Sequence, residues 1–107
     1  MSSLKDILNN TSNELLSESK DEVLKLFSQA LSSNIDFVKK NAARLERRIV
    51  MLSEGKIDRE EFDGLVGAQK RKVDQYLNTV EIKFRSEAEK LTHGLIKIIV
   101  NQVIPIL

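Results

Sequence analysis

Leu24, Leu31, Val38, Leu45 and Leu52 recur at every seventh position, and Ile35, Ala42 and Ile49 fall four residues after three of them, with Ser28 the polar exception. A 4-3 alternation keeps one stripe of an α-helix apolar, whereas a half-buried strand alternates at every second residue. A second series runs Phe62, Val66, Gln69, Val73, Tyr76, Val80, Phe84, Ala88, Leu91, Leu95, Ile98. Its spacings are again four and three, apart from successive fours around Val80 to Ala88, which reads as a stutter in an uninterrupted helix. The one proline, Pro105, stands third from the end, and there are only four glycines, so few breakers oppose long helices. The chain is therefore expected to be all-α.

At 107 residues it is the length of one ordinary domain, 1–107. Ser19 and Glu22 spell a capping box that opens a first long helix over 20–54. A turn at 55–58 leads to a second long helix over 59–104, with a candidate break near Gly94. Before them, Leu4, Leu8, Thr11 and Leu15 stripe a short N-terminal helix within 1–18, with Ser3 and Asp6 as a cap pair. Folding the long helices antiparallel about the turn sets Leu45 near Gln69, Val38 near Tyr76, Leu31 near Phe84 and Leu24 near Leu91. Residues 96–107 then overrun the first long helix. This predicts a coiled-coil-like helical hairpin whose thin core is completed by self-association into a bundle.

The turn lies in "LSEGKIDREEFDGL", residues 52–65, which has the spelling of the second half of an EF-hand calcium loop. With Gly55 at the sixth loop position, the first and third positions are Val50 and Leu52, which carry no oxygen ligand. A hairpin accounts for every residue instead. Gly55 closes one helix in the left-handed conformation, and Asp58 caps the next with Glu61 three residues on. Ile57 and Phe62 form a hydrophobic staple.

Catalytic signatures do not appear. With no cysteine there is no disulfide, thiolate metal site or thiol nucleophile. His93 is the sole histidine, with Glu89 four residues before it, and two such groups fall short of a metal site. It reads as a surface or helix-end histidine. Gly64 and Gly67 lack the strand and the Lys-Ser/Thr of a phosphate loop, and read as places of close helix approach. No enzyme, cofactor, metal or small-molecule substrate is expected. The first residues lack an apolar core of signal-peptide length, so a cytoplasmic location is expected.

Two features speak to partners. Lys39, Lys40, Arg44, Arg47 and Arg48, with Lys70, Arg71 and Lys72, form a candidate patch for phosphate or an acidic partner, in a chain of net charge only +1. Asp36 and Asp74 are placed to neutralise Lys40 and Lys70 at i,i+4 spacing, and no aromatic is interleaved. The stretch "LIKIIVNQVIPIL" is apolar on all sides of a helix and must be buried. Leu95, Ile98, Ile99, Val103 and Ile104 are therefore the candidate self-association surface. It is too short to span a bilayer. The leading expectation is a non-enzymatic interaction module, an adaptor, assembly factor or chaperone-like subunit, acting as a homodimer or with another helical protein. The first alternative is nucleic-acid binding through the basic patch. The second is a membrane-surface or pore-forming protein acting through the C-terminal segment.

Overall fold

Both apolar series fold as helices in the computed structural model of the protein, but neither forms one rod. The structure describes residues 4–10 and 17–106. Helix α1 spans Leu4–Asn10, α2 Ser17–Leu31, α3 Asp36–Ser53 and α4 Arg59–Thr79. Helix α5 starts as Ile82–Glu89. It continues through a π-helical turn at Lys90–Gly94, an α-turn at Leu95–Ile98, a second π turn at Ile99–Val103 and a 3₁₀ turn at Ile104–Ile106. Backbone angles at Lys90, Leu95, Ile99 and Ile104 stay right-handed helical, so α5 is one continuous element to 106. No strand occurs among the described residues. The all-α expectation is met.

The first expected long helix, 20–54, is divided between α2 and α3. At the division, Ser33 Oγ accepts the Ile35 N–H at 3.0 Å. Ser-Ser-Asn at 32–34 offers the backbone local side-chain bonds that compete with the helical ladder. Helix α2 also begins before residue 20, so Ser19 lies inside it and is not its cap. Of the expected N-terminal helix, Leu4–Asn10 is described as α1, while Ser3, Thr11 and Leu15 lie outside the described residues.

The second expected long helix, 59–104, is divided at Val80 and Glu81, both in extended conformation. Thr79 Oγ1 donates back to the Tyr76 carbonyl at 2.9 Å, and β-branched Thr79 and Val80 have low helix propensity. The chain reverses here. His93 meets Asp74, and Arg59 Nη2 donates to the Ile104 carbonyl at 2.8 Å, so α5 runs antiparallel along α4. The successive fours around Val80 mark this reversal, not a stutter. Near Gly94 the helix does not break. Thr92 Oγ1 donates to the Ala88 carbonyl at 2.6 Å, occupying an acceptor of the regular ladder within the π turn.

Reversal changes the fate of the C-terminal segment. Helices α2, α3 and α4 all pack against α5 within 90–98. Leu95, Ile96, Ile99 and Val103 are fully buried, Ile104 nearly so, and Ile98 is half-buried. Residues 96–107, expected to overrun the first helix, instead place Ile96, Ile99, Val103 and Ile104 in the core of the chain, while Ile98 and Val100 are half-buried. Helix α1 adds Leu4, Ile7 and Leu8 to the same core and sits on α3, with the Leu4 N–H on Glu46 Oε2 at 3.1 Å.

The α3–α4 hairpin follows its sequence. Gly55, at φ 74°, is the only residue of positive φ among those described. Lys56 N–H bonds the Met51 carbonyl and Gly55 N–H the Leu52 carbonyl, which is a Schellman closure of α3. Asp58 Oδ1 accepts the Glu61 N–H at 2.8 Å, and Ile57 and Phe62 are buried. Gly64 is the exception. A Cβ there would meet nothing within 4 Å, and at Gly67 only an Arg71 side-chain nitrogen at 3.8 Å, so neither marks a close helix approach.

Candidate nucleic-acid interface

Two stripes of identical spacing face each other where α3 meets α4. On α3 the stripe is Phe37, Asn41, Arg44, Arg48, and on α4 it is Leu65, Gln69, Lys72, Tyr76. Steps of four, three and four residues keep each set on one side of its helix. Arg48 Nη1 donates to Gln69 Oε1 at 2.6 Å and to the Leu65 carbonyl at 3.0 Å. Gln69 Nε2 donates to Asn41 Oδ1 at 2.7 Å and to the Asn41 carbonyl at 2.9 Å. Farther along, the Phe37 and Tyr76 rings stack with centroids 4.1 Å apart and 2° between planes. The sequence register, Val38 near Tyr76 and Leu45 near Gln69, is thus met to within a turn.

Between these contacts lie Arg44, half-buried, and Lys72, exposed. The antiparallel register places Arg44 opposite Gln69 and Lys72 opposite Asn41, at neighbouring levels of the seam. Burial, then the charges of Arg44 and Arg47, pushes the Arg48 guanidinium below its ordinary value. Among the described residues, only Lys40 of the basic set is ion-paired, to Asp36 at 2.9 Å. Asp74 does not neutralise Lys70. It is taken by His93, whose Nε2 lies 2.7 Å from Asp74 Oδ1, so Glu89 is not the histidine's partner either. Glu46, the acid within the basic run, accepts the Leu4 N–H.

The eight basic residues do not form one patch. Arg44, Arg48 and Lys72 lie along the seam, with Arg47 and Lys40 next to them on the outer side of α3. At about 100° per residue, Lys39 falls on the far side of α3 from the seam. Lys70 falls on the α5 side of α4 with Asp74, and Arg71 points outward. Arg44 and Lys70 thus stand near one level of the hairpin but on different sides of it. Phe37 and Tyr76 are the members that the sequence reading missed. Each has the spacing of its stripe, but only the register of the hairpin makes them neighbours of the cations.

No group of three or more potential metal ligands occurs among the described residues. A shallow groove of about 390 Å³ on the outer face of α3 has Ala43, Val50 and Met51 on its floor and Glu46, Arg47, Glu54 and Lys56 around it. Charges of both signs there give it no preference for an anion or a cation. Among the described residues, no helix is long and apolar enough to cross a membrane. No family model, curated protein or solved structure matches this chain.

Proposed function

We propose that the protein is a non-enzymatic binding module that holds single-stranded nucleic acid along the α3–α4 seam. One observation carries this: Arg48, Arg44 and Lys72 lead along the seam to the stacked Phe37 and Tyr76, with no carboxylate pairing the three cations among the described residues. A cationic track that ends at aromatic rings suits a strand whose phosphates meet the cations and whose bases stack. Self-association through residues 95–104 has less apolar surface to draw on, because Leu95, Ile96, Ile99 and Val103 are buried within one chain and Ile98 and Val100 are half-buried.

The test is an oligothymidylate of about ten nucleotides, within the usual footprint of one small domain. Engagement of about three phosphates gives a log–log salt slope near −2. The chain has one tyrosine and no tryptophan, so intrinsic fluorescence reports Tyr76 alone, and stacking of a base quenches it. Charge reversal in Arg44→Glu/Lys72→Glu is expected to weaken binding by about tenfold or more. Absence of salt-sensitive binding at ~0.1 M salt overturns the proposal. Saturable binding of a polyglutamate peptide in its place assigns the seam to an acidic protein.

A second reading, a protein-interaction module, is favoured by Leu31, Ile82 and Phe84, which are 37%, 83% and 40% exposed. They lie at the end of the molecule where α2 passes to α3 and α4 to α5. Light scattering of wild type against Ile82→Asp tests it, and an equal monomer mass at high concentration removes self-association there.

A further inference from the structure

Arg48 differs from the other seam cations in how its donors are used. An arginine carries five N–H donors in a rigid planar fork. Both hydrogens of Nη1 are committed, one to Gln69 Oε1 and one to the Leu65 carbonyl. Gln69 is itself buried and held by Asn41. The guanidinium plane is therefore fixed by α4 rather than free to rotate. Nε and Nη2 have no partner among the described residues, and neither is among the buried unsatisfied atoms, so both reach solvent. These two nitrogens form the side edge of the fork, whose parallel N–H bonds match two oxygens of one phosphate.

We propose that the Nε–Nη2 edge of Arg48 is the anchor of the seam, a bidentate site for one phosphate of the bound strand. Arg44 and Arg47 add positive charge beside it without competing for the same two oxygens. Because Gln69 and Leu65 hold the fork in place beforehand, binding costs little side-chain entropy. Lysine cannot reproduce the site. It keeps the charge but offers a point donor in place of the fork. This inference rests on the nucleic-acid reading and adds a specific residue to it: a diffuse cationic face would tolerate Arg48→Lys, and an anchored one would not.

The experiment has two arms. In the first, wild type, Arg48→Lys and Arg44→Lys are titrated with the oligothymidylate after their melting curves are compared. Arg48→Lys is expected to bind about tenfold or more weakly, the loss of one good bidentate contact, while Arg44→Lys stays within about threefold. The second arm needs no variant. The Nε–H resonance of Arg48 is followed by NMR in wild type during addition of the oligothymidylate and, separately, of inorganic phosphate. It is expected to shift saturably, while that of Arg59, held by the Ile104 carbonyl on the α5 side of α4, stays still. Oligothymidylate binding with a folded Arg48→Lys equal to wild type, or with a silent Arg48 resonance, overturns the anchor and leaves the seam reading intact. A saturable shift with inorganic phosphate and none with oligothymidylate keeps the anchor and overturns the nucleic-acid reading. Silence towards both overturns both.

Discussion

The α3–α4 seam and the C-terminal half of α5 are both taken out of water, and they are made of opposite materials. Asn41 and Gln69, 4% and 2% exposed, sit in the middle of the seam with Arg48 across it. In α5 the corresponding places belong to Leu95, Ile96, Ile99 and Val103, all at 0%. Apolar burial is non-directional, so those side chains are satisfied by any surface that excludes water. A buried amide is satisfied only by donors and acceptors at the right places. The seam thus tolerates one register of α3 against α4, whereas α5 is free to be covered by whatever the chain brings to it.

The largest expected effect tests the apolar side of this contrast. Ile99→Asp puts a carboxylate among side chains with nothing to pair it, at a cost of several kcal/mol, a large fraction of the stability of a domain this size. Loss of cooperative thermal unfolding by circular dichroism is the expected outcome. Wild type should melt at a midpoint independent of protein concentration, because its own helices cover α5. A midpoint that rises with concentration would mean that a second chain completes this core after all.

Gln69→Leu tests the polar side. It leaves Asn41 Oδ1 without its donor and Arg48 with one carbonyl, in a place where Asn41 Nδ2 already lacks a partner among the described residues. A cost of about 2 kcal/mol follows, read as a shift of the urea midpoint. Pairing it with Asn41→Leu removes both halves of the contact, so the double variant should lose less than the two singles added together. Strict additivity would show that the amides do not act as one unit.

The same contrast explains what the sequence revealed. The two apolar series folded about the turn matched the pairing of α3 with α4 through Val38, Leu45, Gln69 and Tyr76, and Gly55 with Asp58 marked the turn between them. Both rest on local spacing and on chemistry that only one geometry satisfies. The path of α5 was hidden, because an all-round apolar helix carries no direction and Val80–Glu81 holds neither proline nor glycine. The expected pair Leu31 and Phe84 stands at the two breaks, and both are exposed. The signal for the first break is Ser32-Ser33-Asn34, across which the heptad spacing runs on unbroken. The acceptor of His93 was equally out of reach, since Asp74 becomes its neighbour only through the reversal after Thr79.

The smallest expected effect asks whether α4 has a third covered side besides those facing α3 and α5. Gly64 lies in the helix interior on the outward face, exposed, where an added Cβ meets nothing within 4 Å. A glycine within a helix loses more backbone entropy on folding than alanine and stabilises the helix less by roughly 0.5–1 kcal/mol. With neither a contact to disturb nor a positive φ to strain, Gly64→Ala should raise stability by about that amount and the melting midpoint by about 2–8 °C. Its distance from the seam leaves oligothymidylate affinity unchanged. A destabilised variant would instead require another backbone against Gly64. The outward face of α4 would then be a third buried surface, covered by a second chain.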